Sequence, residues 1–211
     1  MEPTSAEPKP RHARKGSLEN PEVVENVPGH IIPVLEREFD DFDTRSSGFL
    51  RGEETEEQFI GFRLKQGVYG QRQAERQMIR VKVPLGGVNP DQLDAFADIA
   101  ERYTPLRKGH ITTRQNIQYH HVPLADAAKA IRELGEVGLS SREACGNTVR
   151  NVTGDPFAGV CDDEQFDITP YGGAFVRYFV RNEVCQLLPR KFKVAFTAND
   201  DDRAITLIHD L

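Results

Sequence analysis

The 211-residue chain sets 27 Lys and Arg against 33 Asp and Glu, for a formal net charge of -6, and 38% of its residues are hydrophobic. This balance excludes wholesale binding to nucleic acid or to an anionic membrane, and the hydrophobic share suffices for a folded core. No run approaches the ~18 apolar residues of a membrane span, and the length allows one or two domains.

The opening "MEPTSAEPKPRHARKGSLENPE" has no apolar stretch of the secretory kind. Residues 1 to 25, rich in Pro, Glu, Lys and Arg, read as a disordered tail. Residues 26 to 75 carry turn signals at "RSSG" and "GVYGQ" and read as an extended arm with short elements. Alternation starts at "QMIRVKVPLGGV", where Ile79, Val81 and Val83 oppose Met78, Arg80 and Lys82, so a strand is expected there. In "NPDQLDAFADIAERYT" Asn89 can cap a helix and Pro90 suits its first position, with Leu93, Phe96, Ala97, Ala100 and Tyr103 at helical spacing.

"HITTRQNIQYHHVP" returns to strand alternation, with Thr112, Arg114, Asn116, Gln118 and His120 on one polar face. His120 and His121 are adjacent, so on a strand they point apart and cannot share one metal ion. "LADAAKAIRELGEVG" is a second helix that Gly138 can stop. The order βαβα over residues 76–139 predicts half of a ferredoxin-like α+β sandwich. Residues 140–211 then hold "SREACGNTVRNVTGDP", a helix around "GGAFVRYFVRNEV" and a strand in "LLPRKFKVAF". They read as the incomplete start of an α/β domain. The closing "ITLIHDL" reads as a fresh strand just under way, which suggests a truncated sequence.

Cys145, Cys161 and Cys185 contain no CxxC spacing. They suggest neither a zinc ribbon nor a disulfide framework, and they fit a reducing cytoplasm. Phosphate-loop, dinucleotide and HExxH motifs are absent. What remains is local positive charge within an acidic chain. Arg80 and Lys82, Arg114, Arg150, and the closely spaced pair Lys191 and Lys193 lie on elements that could converge. Each stretch alone also fits a solvated outer face. Together they suit a carboxylate or a small oxyanion.

The stretches "MIRVKVPLGG", "GHITTRQNIQYHHV", "ACGNTVRNVTGDP" and "LPRKFKVAF" occur here in the order found in sirohaem-containing nitrite and sulfite reductases. The chain resembles that family over roughly residues 60 to 211. The resemblance implies sirohaem, an iron macrocycle with eight carboxylates, joined to a four-iron four-sulfur (4Fe-4S) cluster. It further implies six-electron reduction of sulfite or nitrite with electrons from ferredoxin or a flavoprotein reductase. By the same resemblance Arg80, Arg150, Lys191 and Lys193 grip the substrate. Thr113, Arg114, Gln115, Gln118 and His120 face the macrocycle or the pocket wall, and Asn147, Asn151 and Arg190 support them. Lys193 leans the substrate toward sulfite, with nitrite the alternative. A non-catalytic tetrapyrrole- or anion-binding half domain and a related monooxygenase of cobalamin synthesis are the other readings. One departure stands out. The family's Cys-x5-Cys and Cys-x3-Cys pairs do not occur, so the cluster ligands are expected beyond residue 211 and the chain is expected to be inactive alone.

Overall fold

The computed structural model describes residues 31–211. The tail expected over residues 1 to 25 lies outside the described residues.

The expected arm is helical where it is described. α1 spans Glu36–Leu50 and α2 spans Glu56–Lys65. Phe39 and Phe42 are buried on α1, and Phe42, Phe49, Phe59 and Phe62 form one aromatic cluster, with Phe49 and Phe59 stacked at 4.8 Å. The "RSSG" turn signal lies inside α1, with Ser46 and Gly48 buried. Thr55 and Gln58 form a capping box that starts α2. Burial of aromatic side chains here overrides the local turn preference.

β1 (Val68–Gly70), β2 (Arg76–Val81), β3 (His110–Ile111) and β4 (Ile117–Pro123) form an antiparallel sheet in the order β1-β2-β4-β3. α3 (Pro90–Tyr103) follows β2, and α4 (Leu124–Glu136) follows β4. Asn89 and Pro90 start α3 as expected, and Gly138 at φ 77° ends the turn after α4. Ile79, Val81 and Tyr119 have no exposed surface and share the main core with residues of α1 to α4. The mixed α+β architecture with a ferredoxin-like half is thus the one expected.

Several details differ from the sequence reading. The buried face of α3 is Gln92, Ala95, Phe96, Ile99 and Ala100, while Leu93 and Ala97 are exposed. Gln92 belongs inside because its side chain closes the cap and donates to Val137 O at 3.1 Å. "HITTRQNIQYHHVP" is a hairpin rather than one strand. Thr112 N donates to Asn116 O at 2.9 Å, and Gln115 takes φ 50°, so the side-chain alternation breaks between residues 112 and 116. Lys82 is buried instead of sharing an open face with Arg80, and its Nζ donates to Val149 O at 3.1 Å. "ITLIHDL" forms a 3-10 turn at Thr206–Ile208, where Asp202 caps Thr206 N at 2.8 Å.

A second, smaller unit follows. β5 (Val149–Gly154) and β6 (Phe192–Phe196) pair in parallel, connected through α5 (Thr169–Phe179). Val152, Val176 and Val194 form its core with Ile31 and Ile32. The strand expected over "LLPRKFKVAF" is confined to its second half. Asn151 joins the two units. Its Oδ1 accepts from Val83 N at 3.0 Å, and its Nδ2 donates to Val83 O and Arg114 O at 3.0 Å and to Gln115 O at 3.1 Å. Gln115 adds a second tie, since its side chain accepts from Gly154 N at 2.9 Å and donates to Gly154 O at 2.7 Å.

Candidate functional site: a cationic hollow between the two units

Where the β3–β4 turn meets β5 and β6, a cavity of about 210 Å³ opens. β2 contributes Arg80, and the turn contributes Thr113 and Arg114. β4 contributes Gln118, β5 contributes Arg150 and Asn151, and Lys191 and Lys193 enter at the start of β6. All four cations expected to grip an oxyanion therefore line one hollow, with Arg114 as a fifth.

Backbone carbonyls aim these groups. Ala144 O accepts from Arg80 Nη1 at 3.2 Å and from Arg150 Nε at 3.0 Å, so one carbonyl holds two guanidinium groups. Gly146 O accepts from Arg150 Nη1 at 3.3 Å. Arg114 Nη2 donates to Asn151 O at 2.9 Å and to Val194 O at 3.2 Å, while its Nε donates to His209 Nε2 at 3.2 Å. Lys193 Nζ donates to Ile208 O at 3.2 Å. Elsewhere Arg45, Arg63, Arg132, Arg181 and Arg203 are paired with carboxylates. None of the five hollow cations forms such a pair among the described residues.

Burial first, and neighbouring positive charge second, lower the titration of two of these arginines. Burial, then Arg150 and Arg80, push Arg114 down to about 10, with Asp210 opposing. Burial and the neighbouring Arg80 likewise lower Arg150. Both effects penalise the charged form, and a bound anion would relieve them. Burial raises the Cys145 thiol, against the pull of Arg80 and Arg150.

Four expected residues do not reach the hollow. Gln115 is spent on the Gly154 backbone, and His120 stands behind Gln118. Asn147 is exposed, its Nδ2 donating to Pro189 O at 3.4 Å, and Arg190 is exposed as well. Asn151 lines the hollow, but its amide is committed to backbone groups. Sequence reasoning passed over His209 and the Ala144 and Gly146 carbonyls. Backbone acceptors leave no trace in side-chain patterns, and His209 sits in a run read as a strand.

Behind the wall, burial depresses Lys82 to about 8, with Glu143 opposing and Arg150, Arg181 and Arg142 assisting. A lowered folded-state value means that the folded protein releases this proton before the unfolded chain does. Between about pH 8 and the ordinary lysine value of ~10.4 the unfolded state binds more protons, so stability gains from this group as pH rises through that window. Urea unfolding of the Lys82→Met variant is expected to lack that gain. A gain equal to that of the parent protein would place the titration elsewhere.

Two family models match the chain. Residues 69–137 match the nitrite/sulfite reductase ferredoxin-like half domain, and residues 145–211 match the nitrite and sulphite reductase 4Fe-4S domain. The ferredoxin–nitrite reductase of Synechococcus elongatus is 34% identical over 140 residues, covering 64% of this chain and 27% of that protein. A sulfite reductase [ferredoxin] of Mycobacterium tuberculosis is 33% identical over 129 residues, covering 61% and 23% respectively. The solved structure of the Mycobacterium tuberculosis NirA protein superposes with a TM-score of 0.65 at 28% identity, covering 70% of this chain and 30% of that one. The chain thus spans about a quarter of the length of these relatives.

Proposed function

The chain belongs to the nitrite and sulfite reductase family, and on that premise we propose that its cationic hollow binds the oxyanion to be reduced, sulfite before nitrite. The single observation that carries this reading is the gathering of Arg80, Arg114, Arg150, Lys191 and Lys193 around one cavity without a carboxylate partner among the described residues. Five such cations repel one another, and an anionic guest offsets that repulsion. Sulfite, the more highly charged candidate, gains more than nitrite from Lys193 standing beside Lys191. Nitrite is the second reading, because the relative in Synechococcus elongatus bears the name of a nitrite reductase.

The donor chemistry of the hollow also suits the carboxylates of sirohaem, for which Arg80, Lys191 and the Nη1 of Arg114 would supply N–H donors. When bound, sirohaem would supply the electron-transferring iron of a six-electron reduction. A 4Fe-4S cluster finds no ligand set here. Cys145, Cys161 and Cys185 do not gather, and no group of three or more His, Cys, Asp or Glu among the described residues could hold a metal ion.

The protein's own residues bind, orient and polarise. Arg150, half-buried, presents N–H donors where water competes poorly. Lys191, the more exposed, offers Nζ–H to a substrate oxygen and can pass that proton on as the oxygen leaves. Ferredoxin is the proposed electron donor, by analogy with the relatives' names, and a flavoprotein reductase is the alternative. Three unpaired thiols support a cytoplasmic setting. No helix among the described residues is long and apolar enough to cross a membrane.

Substituting Lys191 by Met is expected to weaken sulfite binding about tenfold, the worth of one charge-assisted hydrogen bond, as read by isothermal titration. Unchanged affinity would remove Lys191 from the substrate's grip.

A further inference from the structure

Arg80, Gln118 and His110 sit side by side across β2, β4 and β3. With the Gln118 amide turned so that its oxygen faces Arg80, that oxygen accepts from Arg80 Nη2 at 2.9 Å and Nε at 3.0 Å. The amide nitrogen then donates to His120 Nε2 at 3.2 Å. Arg80 has donors only, so no other amide orientation suits it. That orientation in turn requires a bare Nε2 on His120. On the far side of the ring Nδ1 then carries the proton of the neutral imidazole and faces the Gln71 amide nitrogen at 3.4 Å, a contact between two donors and not a hydrogen bond, because Gln71 Oε1 is taken by His121 N at 2.6 Å.

We propose that Gln118 is a positioning residue that aims Arg80 into the hollow, and that protonation of His120 turns the Gln118 amide and releases Arg80. An imidazolium carries N–H on both nitrogens and needs an acceptor at Nε2. Gln118 supplies one by rotating its oxygen away from Arg80, which then faces an amide NH2 instead. Arg80 keeps only Ala144 O, at 3.2 Å, and its guanidinium is drawn back toward that carbonyl. The inference rests on the anion-binding reading of the hollow and adds a pH-dependent control of one of its cations.

The groups facing His120 favour its neutral form. His110 from β3 stands edge-on at 6.1 Å between ring centroids, and His121, at φ 61°, keeps its ring within 6.4 Å instead of pointing fully away. Arg80 faces it from β2, and Gln71 contributes no charge. Burial first, then His110, His121 and Arg80, lower its titration below the ordinary histidine value.

The sign of the effect separates this device from simple electrostatics. A new positive charge beside an anion site tightens anion binding by Coulomb attraction. The Gln118 device loosens it. Inorganic sulfate, whose charge is constant over this range, is the probe, titrated calorimetrically into the protein from about pH 8 to 5.5. Affinity is expected to fall about tenfold on acidification, the worth of one charge-assisted hydrogen bond. In His120→Gln, which always offers an acceptor to Gln118, the acid weakening is expected to vanish.

The unmodified protein gives an independent readout. By reciprocity, saturating sulfate must lower the His120 titration midpoint, followed by 15N shifts of its ring. A raised midpoint, tighter binding in acid, or parental pH dependence in His120→Gln overturns the inference while leaving the hollow an anion site. Absence of any sulfate binding overturns the anion site itself, and the inference with it.

Discussion

Replacing Arg150 by Ala is expected to weaken sulfite binding about 100-fold while leaving the protein as stable to heat as before, or more so. The two effects have one cause. Arg150 is half-buried and held by Ala144 O and Gly146 O, and burial first and the nearby Arg80 second lower its titration. In the folded protein without substrate its charge is therefore a cost, and removing it relieves the burial penalty and the repulsion together. Once an anion is present, the same burial strengthens attraction, because little water screens it, and loss of a donor in such a site is worth about 10²-fold or more. Isothermal titration with sulfite and a thermal melt check the pair. An affinity within twofold of the parent would take Arg150 out of the binding site. Binding lost together with a collapse of the melting temperature would make its role one of packing.

Substituting Asn151 by Ala is expected to cost about 4 kcal/mol of folding stability, since one buried unsatisfied polar group costs about 1–3 kcal/mol and two are created. Asn151 is 2% exposed and ties Val83, Arg114 and Gln115 through four backbone hydrogen bonds. Its loss strands Val83 N–H and the Gln115 carbonyl, whereas Val83 O keeps Gly86 N at 3.0 Å and Arg114 O keeps Asn116 Nδ2 at 3.3 Å. Those three backbone segments meet at the hollow, so anion binding is expected to fail as well. Urea unfolding measures the first effect, and a loss below about 1 kcal/mol would show that the neighbours re-pair on their own.

These consequences also explain what could be read before the fold was known. Asn89 with Pro90, and Gly138 after α4, act through local backbone chemistry, so their signals survive in a linear sequence. The meeting of Arg80, Arg150, Lys191 and Lys193 was legible only as four motifs in a recurring order, since nothing local to each tells where the others lie. The helices of residues 36–65 were illegible because what decides them is a cluster of Phe42, Phe49, Phe59 and Phe62, closed across two helices and masked by acidic neighbours and "RSSG". Lys82 read as a surface cation because alternation assigns a face and not a depth. The bridge from Lys82 to Ser140 carries its stem inward. The Gln118–His120 contact was hidden for a related reason. Side chains two apart on a strand share a face, but which amide atom points where depends on Arg80, 38 positions earlier.

The hollow's purpose is tested most directly by a crystal structure of the protein grown with sulfite. The expected result is one anion within hydrogen-bond distance of Arg80, Arg150, Lys191 and Lys193 together. Sulfite bound away from these four, or a hollow holding only water at saturating sulfite, would contradict it.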